Sequence, residues 1–188
     1  MRMEPSEQDL VRQAVGGDVR AFDRLVEVYT PRLYRLVRRS APDDGEAEAV
    51  VQEAWLRAWV NRRRSAPDRP FFPWLARIAI NVARDVWRKR RPLDFADLGE
   101  SVEEISAPET SAERWLEAVE ASERLARYVE ELRPEWRMVL GLRYDGNLAY
   151  DEIAAVLDIP LNTVRTHLRR ARAALRVRLE EDDARPAG

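Results

Sequence analysis

The chain has 188 residues, 45% hydrophobic and 35% charged, and its 32 bases against 34 acids leave a net charge of −2. That is enough chain for two small domains, and any nucleic-acid role must be sought in the distribution of charge, since the total is silent. Cysteine is absent, which excludes disulfides, thiol catalysis and thiolate zinc sites and points to a reducing compartment.

The first residues, MRMEPSEQDLVRQAV, lack the apolar centre of a secretion signal. No run approaches the roughly 18 apolar residues of a membrane span, so a cytoplasmic location is expected. Ser6-Glu-Gln-Asp9 forms a capping box for a short helix through Leu10, Val11 and Ala14, ended by Gly16-Gly17. Asp18 caps the next stretch, where Phe22, Leu25, Val26, Tyr29, Leu33, Leu36 and Val37 recur at helical spacing. Pro31 within it predicts two joined or kinked helices.

After a Pro42–Gly45 turn, residues 46 to 60 place Ala47, Val50, Val51, Ala54 and Ala58 on one helical face, with Gln52, Glu53 and Arg57 turned elsewhere. Trp55 and Trp59, four apart, suit packing between helices. Residues 61 to 70, NRRRSAPDRP, carry breakers and charge. From Trp74 an apolar stripe resumes through Leu75, Ile78, Val82 and Val86, giving a fourth helix.

That helix ends in Arg84, Arg88, Lys89, Arg90 and Arg91 against Asp85, a local charge of +4, with Arg62 to Arg64 in the loop before it and Phe71, Phe72, Trp74 and Trp87 nearby. Basic grooves with aromatic or pocket-forming side chains hold single-stranded DNA, so the combination suits a melted strand. The plainer alternative places Trp74 and at least one Phe in the core, because they lie on the apolar stripe.

Between Asp94 and Glu131 stand 12 acids against Arg114, Arg124 and Arg127, a local charge of −9. The first part, with Pro92, Gly99, Ser101, Ser106 and Pro108, has linker composition, and Trp115, Val119 and Leu125 predict helix resuming. Three helical pieces follow: Pro134 to Tyr144, Tyr150 to Leu157, and Leu161 to about Leu179. In the last, Val164, Leu168, Ala171 and Leu175 form the buried stripe while Arg165, Arg169, Arg172 and Arg176 point away.

Residues 161 to 178 hold six arginines and no acid. A short helix, a tight turn and a basic second helix describe a helix-turn-helix, whose second helix enters the major groove. A solvated basic face is the alternative. His167, the lone histidine, has no partners for catalysis or metal binding and could at most touch phosphate. No phosphate loop, catalytic triad or metal spacing is present, so no catalytic residue, metal or cofactor is expected and the chain is expected not to be an enzyme.

Four ordered blocks now become recognisable: AFDRLVEVYTPRLYRLVRR, EAEAVVQEAWLRAW, FFPWLARIAINVARDVWRKRR, and the stretch from LRPEWRMVL to RAALR. Together they make the chain resemble the extracytoplasmic-function (ECF) sigma factors of bacterial RNA polymerase, which keep regions 2 and 4 of larger sigma factors. The resemblance implies an all-α protein of two small helical domains: residues 1–91 as region 2, 92–112 as an acidic linker in the RNA exit path, 113–180 as region 4, and 181–188 as a tail.

By the same resemblance, Glu48, Gln52, Glu53 and Arg57 dock on a coiled coil of core RNA polymerase. Asn61, Arg62, Arg63, Arg64, Phe71, Arg77, Asn81, Arg84 and Arg88 handle the minus-ten element, with residues 61 to 71 capturing a flipped base of the non-template strand. Asn162, Thr163, Arg165, Thr166, Arg169 and Arg172 contact the minus-thirty-five element. The implied partners are core polymerase, promoter DNA and an anti-sigma protein.

The chain departs from the family pattern at Ala49, where an acid is usual, and at Ala149, where a Ser or Thr commonly caps the short helix. Pro73, Asn162 and His167 also depart from it, so promoter sequence does not carry over. Two other readings are a helix-turn-helix regulator that binds duplex DNA without polymerase and a helical adaptor for acidic proteins.

Overall fold

The computed structural model describes residues 5–87 and 123–183. Every regular element among them is helical: α1 (Glu7–Val15), α2 (Val19–Arg38), α3 (Asp44–Val60), a 3-10 turn (Arg62–Arg64), α4 (Phe71–Trp87), α5 (Glu123–Glu131), α6 (Pro134–Tyr144), α7 (Tyr150–Leu157) and α8 (Leu161–Asp183). The chain is all-α, as its periodicities require.

Local chemistry sets most of the boundaries. Ser6 and Asp9 form the reciprocal capping box of α1, and the Asp18 carboxylate accepts from the backbone N–H groups of Arg20 and Ala21 to open α2. Three details differ from expectation. α2 runs unbroken through Pro31; the cost of an interior proline, about 3 kcal/mol, is offset by Leu25, Tyr29, Leu33 and Leu36, buried on both sides of it. α3 begins at Asp44 and takes in Gly45, because Asp43 caps it through the Glu46 N–H at 2.8 Å.

The third difference is at α4, which begins at Phe71, ahead of the expected Trp74. The Phe71 N–H, which no helical carbonyl could satisfy, donates to Glu7 Oε1 at 2.9 Å. The other oxygen of Glu7 accepts from the Tyr29 hydroxyl. Burial, followed by the carboxylate's hydrogen bond and charge, pushes that phenol far above its usual range. One side chain of α1 thus ties α2 to the start of α4.

The N-terminal half buries Leu25, Leu33, Leu36, Leu75 and Ile80 almost completely. An aromatic cluster lies over one end of this core. Phe22 meets Trp55 and Trp59 edge-on at 5.5 and 5.0 Å, and Phe71 lies 5.5 Å from Tyr29 and 5.4 Å from Trp74. In the C-terminal half, Met138, Leu142, Leu148, Ile153, Leu168 and Leu175 form the core. The expected stripe Val164, Leu168, Ala171 and Leu175 is buried, and α8 continues to Asp183, four residues past the expected end.

Two turns shape this half. Gly146 is required because a Cβ there would lie 2.5 Å from the Leu142 carbonyl oxygen. Asp158 closes α7 in the left-handed conformation, φ 58° and ψ 49°, so that α8 can leave at the angle a helix-turn-helix needs. Lys89 to Arg91, the acidic linker, Trp115 and Val119 lie outside the described residues.

Candidate polymerase and promoter interface

Helix α3 buries Ala47, Val50, Val51, Ala54 and Ala58, which turns Glu48, Gln52 and Leu56 to solvent and leaves Glu53 and Arg57 half exposed. Arg57 is held between Glu53 on its own helix, at 2.7 Å, and Asp85 on α4, at 3.1 Å. Those two hydrogen bonds raise its pKa further above an already high value, so it remains a fixed cation beside an acid and an amide. The four residues expected to dock on polymerase all lie on α3 outside its buried stripe, Glu48 and Gln52 in solvent and Glu53 and Arg57 at the edge that faces α4.

The loop that follows is tightly organised. Arg62 donates to the Trp59 carbonyl at 2.9 Å and its guanidinium lies 4.2 Å from the centre of the Trp59 ring, a cation–π arrangement. Asn61 returns its side-chain amide to the Arg57 carbonyl at 2.8 Å. Arg63 and Arg64 point into solvent. Phe71 does not join them: it is 3% exposed, inside the aromatic cluster, because α4 starts with that ring in the core.

On α4, Arg77 and Asn81 are exposed one turn apart. Arg84, one turn further, is not available in the same way. Its Nη2 donates to the Leu157 carbonyl at the end of α7, at 2.8 Å. Burial lowers its pKa, opposed by the charge of Asp158. Arg88 lies outside the described residues.

The recognition helix divides its expected set. Asn162, Arg165 and Arg169 are exposed and Thr166 is half buried on the same side; Asn162 and Arg165 are joined at 3.2 Å. Thr163 and His167 are buried, at 3% and 2% exposure. Thr163 sits in the first turn of α8 against the core, apart from the exposed Asn162, Arg165 and Arg169. Arg172 turns back to the phenol oxygens of Tyr144 and Tyr150, at 3.0 and 3.3 Å. Burial disfavours its charge, but the two phenols outweigh that and raise its pKa. It therefore fastens α8 to α6 and α7 and does not point outward.

Several residues that sequence reasoning missed join the two halves. Arg39 on the C-terminal edge of α2 forms a two-pronged ion pair with Asp145, one prong at 3.1 Å. Arg32 donates to the backbone carbonyls of Asp145, at 3.0 Å, and Gly146, and its guanidinium lies 3.9 Å from the centre of the Phe72 ring. The one sequence signal was Gly141, a glycine in a helix interior where it is costly unless something approaches closely.

Two family profiles match the chain: Sigma-70 region 2 over residues 25–92 and Sigma-70 region 4 over residues 122–175. The ECF RNA polymerase sigma factor SigW of Bacillus subtilis is 33% identical over 186 residues, an alignment covering 95% of this chain and all of that one. The chain belongs to the ECF sigma factors. Its fold is similar to CnrH, solved in complex with the cytosolic domain of CnrY, with 29% identity, a TM-score of 0.65, and 94% and 98% of the two chains covered. It also matches the fold of the sigma factor RpoE of Bartonella quintana, solved with the anti-sigma factor NepR, at 19% identity, a TM-score of 0.64, and 86% and 98% coverage. This sigma factor carries a transcription-initiation fold, and no helix among the described residues is long and apolar enough to cross a membrane.

Proposed function

We propose that this sigma factor docks on core RNA polymerase through Glu48, Gln52, Glu53 and Arg57. It recognises the minus-thirty-five element with Asn162, Arg165, Thr166 and Arg169, and holds the melted minus-ten strand with Asn61, Arg62, Arg63, Arg64, Arg77 and Asn81, extended by Arg84 and Arg88. The supporting observation is the presence, on one chain, of two separate helices that each bury an apolar stripe and present arginine or asparagine on the opposite side. The exposed Glu48 and Gln52 of α3 stand apart from both.

No bond is made or broken by these side chains. Binding energy gained on unstacked bases favours the open promoter over the closed one. Thr163, Phe71 and Arg172 act in this reading by holding the scaffold. The chain works in the cytoplasm, where its polymerase and promoter are. An anti-sigma protein is its regulator, a reading supported by the partner of the fold neighbour from Bartonella quintana.

Run-off transcription with purified core polymerase and a library of upstream fragments tests the assignment. Discrete promoter-dependent transcripts are expected with the wild type and a strong loss with Gln52→Ala/Glu53→Ala. Binding to duplex DNA with no transcript would reject it in favour of a regulator that acts without polymerase.

A further inference from the structure

Helix α4 carries an acid in the row that would hold DNA. Arg77, Asn81 and Asp85 stand at steps of four along one side of the helix, all three exposed. A carboxylate that continues this row repels the phosphates of a strand laid along it. What Asp85 contributes lies on the neighbouring helix: its Oδ2 accepts from Arg57 Nη1 of α3 at 3.1 Å.

A lone i,i+4 ion pair on a helix surface contributes little and leaves a long side chain free to change rotamer. Arg57 has more than such a pair. Its Nε donates to Glu53 Oε1 at 2.7 Å and its Nη1 to Asp85, so the planar guanidinium is held at two of its three nitrogens by acids on two different helices. The backbone beneath is held too, because the Arg57 carbonyl accepts from both the backbone N–H and the side-chain amide of Asn61, at 2.9 and 2.8 Å. Among the described residues nothing accepts from Nη2, and the side chain remains 41% exposed. A partner that takes a mobile arginine must first immobilise it, and one already held spares that loss.

We propose that Asp85 is a positioning residue for polymerase docking: from α4, outside the docking helix, it holds the Arg57 fork so that Nη2 is presented to core RNA polymerase in a single orientation. The consequence rests on the docking reading above, while the hold itself is a property of the free protein.

The hold is read in the free full-length chain by 15N relaxation of the Arg57 Nε–H group. An ordered side chain is expected in the wild type. Asp85→Asn, which keeps the shape and removes the charge, should loosen it, and Asp85→Glu should keep most of the order. Thermal melts, which should differ little for so exposed a pair, separate loss of the hold from loss of the fold. An Arg57 side chain as mobile in the wild type as in Asp85→Asn overturns the proposal.

The consequence is read as affinity for core polymerase without DNA, in competition with wild-type chain labelled at its N-terminus, so that repulsion between Asp85 and phosphate plays no part. Asp85→Asn is expected to weaken binding about two- to tenfold, the equivalent of immobilising one long side chain, and Asp85→Glu should recover most of it. In an Arg57→Ala background Asp85→Asn should change nothing, because the residue it acts through is gone. An unchanged affinity for Asp85→Asn where Arg57→Ala is weakened, or an equal loss with and without Arg57, overturns the positioning role. Arg57→Ala binding core as tightly as the wild type would instead strike Arg57 from the docking set and overturn this consequence with it, leaving the relaxation result to stand by itself.

Discussion

Helices α4 and α8 are built to the same local plan, and the two halves of the molecule use it differently. Each helix buries a stripe at steps of three and four and sets arginines opposite. On α8, Arg165 and Arg169 reach solvent, while Arg172 has been drawn in by Tyr144 and Tyr150. On α4, Arg77 and Asn81 reach solvent, while Arg84 is held by the end of α7. Arg172 is fixed by its own domain and Arg84 by the other one. An arginine on the outer side of an amphipathic helix is therefore available only where no neighbouring element offers it an acceptor.

The largest effects should come from the two cores, and they show whether the halves share stability. Leu33→Ala and Leu168→Ala each empty a site in a nearly sealed core and are expected to cost about 2–5 kcal/mol, measured by urea unfolding. Two transitions, each moved by only one of the substitutions, would mark separate units; a single transition moved by both would mark cooperation across the interface.

Arg165→Ala and Arg169→Ala should each weaken binding to a promoter duplex by about 1–3 kcal/mol if they contact base edges. Arg172→Ala should act mainly on stability, through the loss of its hydrogen bonds to the two phenols. Anisotropy titrations at two salt concentrations, beside thermal melts, distinguish the roles. A sharper DNA defect for Arg172→Ala than for Arg165→Ala would break the comparison.

A smaller gain is expected from Ala149→Ser. Ala149 sits at the N-cap of α7 in the extended conformation a capping residue needs, φ −69° and ψ 160°. Glu152 already returns its carboxylate to the Ala149 N–H at 2.8 Å, so half of a capping box is in place. The serine should complete it and add about 1 kcal/mol, visible as a higher melting temperature.

The smallest effect concerns acid. Hydrogen bonds from Arg38 and then Tyr34 hold the Asp44 carboxyl below the usual aspartate range. Its contribution is thus complete above that range and is lost as pH falls through the lowered value. Asp44→Asn should lower the melting temperature slightly at neutral pH, and the difference from wild type should vanish in strong acid.

Much of this was legible in the sequence, because it is local. The capping box at Ser6, the helices of the C-terminal half and the buried stripe of α8 follow from periodicity and turn chemistry. What was not legible depends on partners far along the chain. The start of α4 at Phe71 is set by Glu7, 64 positions earlier, and the unbroken α2 by a core that outweighs Pro31. The burial of Thr163 and the capture of Arg84 and Arg172 have the same origin. A spacing rule tells which side of a helix a residue occupies, and only the packed structure tells what else lies on that side.

In the proposed function two surfaces meet DNA with different tasks, and permanganate footprinting of a promoter bound by the reconstituted holoenzyme separates them. The prediction is that Arg165→Ala/Arg169→Ala removes occupancy and melting together, while Arg77→Ala/Asn81→Ala leaves the promoter occupied but loses the reactive thymines around the minus-ten element. Equal loss of occupancy in both variants, or full melting when Arg77 and Asn81 are absent, would contradict it.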